Sequence, residues 1–99
     1  MGVAKKVNIT DLARDELSKV LQTQEATGVR VYFNGFGWGG PNFGVALDEP
    51  QPEDHVEVIN RIHVAIDPYV YKFMYNDLVL DYVKERKTFS FRGIQGSSC

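Results

Sequence analysis

The segment Gly35-Phe36-Gly37-Trp38-Gly39-Gly40 has the GxGxxG spacing of a dinucleotide-binding fingerprint and follows a strand-like run. That fingerprint works only when a helix comes next, because the helix N-terminus holds the pyrophosphate. Here Pro41 and the strand-like Phe43-Gly44-Val45 follow, and the chain has no room for repeated βαβ units. Nucleotide binding is a poor reading of these glycines. Glycines this dense permit positive φ and close backbone approach, at an entropic cost in the unfolded chain. A tight hairpin needs one or two of them, so the segment predicts either a wide mobile loop or a loop shaped to present its central residue. That residue is Trp38, the single tryptophan. An aromatic ring flanked by glycines has little core to pack on and suits a partner interface or a stacking contact.

Other residue types that could do chemistry lack companions. His55 and His63 sit on alternating strands, opposite the apolar positions, with no CxxC, HExxH or facial-triad spacing nearby. They read as solvent-facing. Asp48, Glu49, Glu53 and Asp54 lie in a proline-containing turn and would act as acid/base pairs only if a cleft raised one pKa. The turn predicts solvated carboxylates. Asp81, between Leu80 and Tyr82, reads as an inward or edge-protecting charge. Ser97, Ser98 and Cys99 fall in a glycine- and serine-containing tail too flexible to preorganise a nucleophile. Cys99 is either an incidental thiol or a soft ligand on a mobile arm, and a lone thiolate binds metal weakly.

The elements that must position these residues follow from periodicity. Val7 and Ile9 predict a short strand. Thr10 then caps a helix whose apolar stripe is Ala13, Leu17, Val20, Leu21 and Gln24, with Asp15 and Lys19 as a favourable i,i+4 pair. Val29, Val31 and Phe33 alternate with polar residues, and Phe43, Val45 and Leu47 alternate again. Val56 and Val58, then Ile62, Val64 and Ile66, predict a hairpin turning at Asn60-Arg61. Asp67-Pro68 opens a second helix with Tyr69, Val70, Phe73 and Met74 on its apolar face. Leu78 to Val83 and Thr88 to Phe91 close the fold as two strands. Val31, Phe33, Val45, Val64, Phe73 and Leu80 are the expected core. Residues 35–41 and 94–99 are expected to be the least ordered.

Composition bounds the function. Ninety-nine residues, 43% hydrophobic and 24% charged, suit one ordinary globular domain. A net charge of −2 with scattered Lys and Arg argues against a nucleic-acid partner. No apolar run has the length of a membrane span, and no signal-peptide pattern opens the chain. A single cysteine excludes an intramolecular disulfide, so the expected compartment is the cytoplasm.

Taken in order, Ile9-Thr10 before a helix carrying Ala13 and Leu17, then Gly28-Val29-Arg30-Val31 leading into the glycine-rich segment, are distinctive. Asp48-Glu49-Pro50 with Glu53-Asp54, Leu80-Asp81-Tyr82-Val83 and Thr88-Phe89-Ser90-Phe91 continue the series. Over essentially its whole length the chain resembles the A-type iron–sulfur carriers, the HesB/IscA-like family. The resemblance implies an α+β, β-dominated compact domain of about seven strands and two helices, over residues 1–92, with a flexible tail at 93–99. It also implies a homo-oligomer that binds iron or a [2Fe–2S] cluster through three cysteines, one in the glycine-rich loop and two in a C-terminal Cys-x-Cys arm. Those positions fall here on Trp38, or on Gly37 if the loop aligns without a gap, and on Ser97 and Cys99. Arg92-Gly93-Ile94 replaces the family's usual Asn-Pro-Asn.

Two of the three ligands are therefore not sulfur. Three readings follow: a member that keeps the fold without the metal, an oligomer that gathers Cys99 from several subunits, or a selenoprotein-related branch. In that branch, which Gly37-Trp38-Gly39-Gly40-Pro41 resembles, the position is cysteine or selenocysteine, and the selenocysteine codon UGA is one base from UGG. The expected function is non-enzymatic iron–sulfur cluster assembly or delivery, with the assembly machinery and apo iron–sulfur proteins as partners. Metal binding by this chain is expected to be impaired or absent. The alternatives are a metal-free interaction module built on Trp38, or a small redox selenoprotein.

Overall fold

The computed structural model describes residues 5–93, arranged as β1 (Val7–Ile9), α1 (Asp11–Gln24), β2 (Val29–Gly37), β3 (Gly40–Ala46), β4 (His55–Ile59), β5 (Ile62–Ile66), α2 (Pro68–Phe73), β6 (Leu78–Val83) and β7 (Thr88–Arg92). The expected tail residues Ser97 and Cys99 lie outside the described residues. Two sheets form. One has the order β1-β6-β7, with β1 parallel and β7 antiparallel to β6; the other has the order β3-β2-β5-β4, in which β2 and β5 run parallel. Buried side chains from both sheets and both helices, including Ile9, Leu17, Val31, Val64, Ile66, Val70, Leu78 and Leu80, make one core.

Local chemistry sets the element ends. The Thr10 hydroxyl accepts from Ala13 N at 3.1 Å, capping α1, and donates to Asp81 at 2.8 Å. Asp81 also accepts from Tyr82 N at 2.8 Å. It lies on the central strand of its sheet, so it braces the helix cap and does not protect an edge. Hydrogen bonds, first from Thr10 and then from Tyr82 N, hold its carboxyl below the usual aspartate range. On α1 the expected Asp15–Lys19 pair does not form: Lys19 pairs with Glu16 at 3.2 Å and Asp15 with Arg14 at 3.0 Å. Asn60 and Arg61 both take positive φ, the mirror-image turn that matches strand twist. Asn60 secures it by donating to Ile9 O at 2.8 Å and accepting from Arg14 at 3.1 Å.

Three burial expectations are corrected. Val31, Val64 and Leu80 are fully buried, but Phe33, Val45 and Phe73 are only half-buried. On α2 the core-facing residue is Val70, with Met74 just beyond it, while Phe73 turns toward other aromatics. Val56 and Val58 are exposed, because β4 is an edge strand whose inward face carries His55, Glu57 and Ile59. The acidic turn is corrected as well. The Asp54 side chain is fully buried and takes a bidentate pair from Arg30 at 2.7 and 3.0 Å.

Candidate functional site

The glycine-rich segment is a hairpin and not a wide loop. β2 continues to Gly37 and β3 begins at Gly40, so Trp38 and Gly39 form a two-residue turn. The register shifts by one residue between Phe33 and Phe36, a bulge at Asn34-Gly35, with Gly35 at φ 79° and Gly40 at φ 113°. Only glycine takes such angles without strain. The bulge returns Phe36 to the side of Phe33, and their rings meet edge to face at 5.1 Å.

A band of rings holds the base of this hairpin. Phe73 stacks on Phe33 at 4.6 Å and meets Phe36 at 5.0 Å, and Tyr69 joins from the same helix. On the same face Phe43, the cross-strand partner of Phe33, approaches Phe91 of β7 at 6.4 Å. One face of the hairpin base is thus packed against α2 and the last strand, while its tip stands free. Trp38 is 107% exposed, as open as the residue would be in an isolated peptide, and Phe36 is 63% exposed.

β7 ends at Arg92, just past the Phe91 that meets this hairpin. Gly93 has φ 86°, and a Cβ there would run into the carbonyl oxygen of Asp77. Glycine at this point fixes the direction in which the chain leaves β7. The structure therefore places Trp38 on a presented tip and Phe91, two residues before Gly93, against the base of the same hairpin. It does not describe Ser97 or Cys99. Among the described residues, no group of three His, Cys, Asp or Glu side chains could hold a metal ion.

Residues 5–97 match the family described as iron-sulphur cluster biosynthesis. The chain belongs to that family. The solved structure of IscA with the [2Fe-2S] cluster is 26% identical, covering 87% of this chain and 81% of that one, with a TM-score of 0.68. A solution structure of a protein from Aquifex aeolicus is 26% identical over 93% of this chain and 97% of that one, with a TM-score of 0.61. SufA of Escherichia coli, involved in biosynthesis of iron-sulfur clusters, shares the fold at 18% identity, covering 93% of this chain and 83% of that one, with a TM-score of 0.77. No curated protein matches the chain in sequence. The β-dominated α+β fold expected of the family is the one observed, with seven strands and two helices among the described residues.

The remaining sequence candidates are not brought to this site. His63 is exposed on the outer face of β5, and His55 is an exposed edge residue 3.2 Å from Glu57. Sequence reasoning missed three groupings: the aromatic clamp, the Arg30–Asp54 pair, and Tyr71, whose hydroxyl lies 3.4 Å from Glu57. Burial first, and then the Glu57 charge, push the Tyr71 phenol up to about 12. The clamp had a signal, since Phe33-Asn34-Gly35-Phe36 is the pattern of a glycine bulge that returns two aromatics to one face. No helix among the described residues is long and apolar enough to cross a membrane.

Proposed function

We propose that this chain is a non-catalytic handler of iron or a [2Fe–2S] cluster as cargo in cluster assembly or delivery, and that with its present residues it holds that cargo weakly. The observation that supports this reading is the exposure of Trp38: the residue on which the resemblance places the loop ligand stands on a free hairpin tip, and the base of that hairpin packs against the strand that ends at Arg92. From Gly93 to Cys99 an extended chain reaches about 20 Å. The rise from Phe43 to the tip is about 17 Å. Loop and arm thus lie within reach of one another. An exposed, exchangeable site suits cargo that must pass to an apo-protein better than a closed cage does.

The donor set does not fit a cluster. Indole offers no sulfur, the Ser97 hydroxyl is a hard oxygen donor, and Cys99 is the one thiol. Either Cys99 from several subunits completes the set, or position 38 is natively cysteine or selenocysteine, the reading suggested by the resemblance of Gly37-Trp38-Gly39-Gly40-Pro41 to a selenoprotein-related branch. The native codon at position 38 separates these readings. Residues 1–92 are read as the folded domain and 93–99 as its ligand-bearing tail, working in a cytoplasmic setting with the cluster-assembly machinery.

The test is positional. Trp38→Cys and Thr88→Cys add the same thiol at the hairpin tip and at the far end of β7. Anaerobic addition of ferrous iron and sulfide should load more iron per chain only in the Trp38 variant. Equal loading in both variants would contradict the assignment. A second reading, a metal-free docking module, is favoured by the same exposure of Trp38 and Phe36. It predicts that Trp38→Ala abolishes capture of assembly proteins, whereas Trp38→Cys does not raise iron content.

A further inference from the structure

The chain holds five asparagines, and Asn34 alone is followed by glycine; Ile9, Phe43, Arg61 and Asp77 follow the others. Asparagine is a thermolabile residue. Its side-chain amide carbon is open to attack by the backbone nitrogen of the next residue, with the two atoms about 3–3.5 Å apart. A side chain on that next residue hinders the approach. Gly35 has none, and nothing stands within 4 Å of where its Cβ would be. Two further things suppress the reaction: a ladder hydrogen bond that keeps the proton on the attacking N–H, and an asparagine side chain held elsewhere.

The hairpin supplies neither restraint in full. Asn34 and Gly35 together face the single residue Asn42, because the register moves between Phe33 and Phe36. A bulge leaves its extra residue out of the ladder. Gly35, at φ 79°, lies outside the strand conformation, and β5 pairs with β2 only from Val29 to Val31, so no second strand braces this stretch. The Asn34 side chain is exposed and has no hydrogen bond among the described residues. Asn60 is the contrast, since its amide donates to Ile9 O at 2.8 Å and to Asp11 at 3.0 Å.

We propose that Asn34-Gly35 is a self-modification site, where the folded chain converts Asn34 to isoaspartate and aspartate through a cyclic succinimide. The Gly35 nitrogen loses its proton to solvent and bonds to Asn34 Cγ; the Cγ–Nδ2 bond breaks, and ammonia leaves with a proton returned by solvent. Water then opens the ring. Attack at Cγ restores the main chain and leaves aspartate. Attack at the main-chain carbonyl carbon leaves isoaspartate, with the backbone running through Cβ and Cγ. The sum is one water consumed and one ammonia released. Isoaspartate adds a carbon to the span between Phe33 and Phe36, whose rings meet at 5.1 Å and both pack on Phe73. The modification therefore loosens the base of the hairpin that carries Trp38, and it requires no metal or cargo.

The test ages the purified full chain at physiological temperature and mildly alkaline pH, beside the same chain unfolded in guanidinium. Peptide mapping reads the amide-to-acid mass gain at each asparagine. Methyl transfer from S-adenosylmethionine by protein isoaspartate methyltransferase counts isoaspartate. Asn34 of the folded chain should convert first among the five, at a rate within about tenfold of the unfolded chain's, with isoaspartate among its products. The isoaspartate form, separated by ion exchange, should shift the amide resonance of Phe73 on α2. Asn34→Asp, which adds the charge without the carbon, should leave that resonance in place. Stronger protection of Asn34 in the folded chain would overturn the proposal, as would earlier conversion at another asparagine. Aspartate without isoaspartate, or an equal Phe73 shift in Asn34→Asp, would overturn it too.

Discussion

Asp54 shows how much one buried carboxylate governs. Its side chain is fully buried, and the Arg30 hydrogen bonds, set against desolvation, hold its carboxyl below the usual aspartate range. The sign follows directly: on acidification the unfolded chain takes up the proton first. The stabilisation is therefore complete above about pH 4 and is lost as pH falls below that toward the depressed folded value. Asp54→Asn should destabilise the fold by about 2–3 kcal/mol at neutral pH and flatten the acid limb of a denaturation profile. Urea melts across the acid range check both effects. Tyr71 acts at the other extreme. With its phenol raised to about 12, stability should fall as pH climbs past about 10, because the unfolded phenol ionises first. A spectrophotometric tyrosine titration should show one late phenol, which shifts down in Glu57→Gln. Neither pairing was legible in the sequence. Arg30 and Asp54 are far apart in the chain, and a proline-containing acidic turn looks the same whether its last carboxylate points out or in.

At the scale of elements, periodicity located every helix and strand, and it failed where an element has two unequal faces. On α2 the apolar run Tyr69, Val70, Phe73, Met74 cannot reveal which residues meet the core and which meet Phe33. Met74→Ala should cost about 2–5 kcal/mol. Phe73→Ala should cost less, about 1–2 kcal/mol, in keeping with a partly buried aromatic pair. Chemical denaturation ranks the two, and the reverse order would refute this packing. On β4 the valines look like a buried phase, yet the strand ends up at an edge, and no local signal encodes sheet order. The glycine-rich segment suggested a loop because glycine disfavours strands; the cross-strand pairing Phe33 to Phe43 and the bulge override that preference. Gly93→Ala, with φ 86° and the Asp77 carbonyl in its way, should destabilise by about 2 kcal/mol and redirect the C-terminal arm. The accompanying readout is a loss of cargo binding in any variant that has gained it.

For the whole molecule, the order of short matches along the chain was enough to point to the family, because the fold spaces them and no single one is diagnostic. The family match over residues 5–97 and the likeness to IscA now stand behind that resemblance. The ligand set remains a proposal that rests on the resemblance: the scaffold is kept, and the positions it assigns, 38 and 97, carry Trp and Ser in place of sulfur. The central proposal is that a chain of this fold needs only thiolates at positions 38 and 97 to hold a cluster. Anaerobic reconstitution of the parent chain beside the Trp38→Cys, Ser97→Cys double variant tests it most directly. The account predicts sulfur-to-iron charge-transfer absorption in the double variant and little in the parent. Equal absorption in both, or none in a double variant that remains folded, would contradict it.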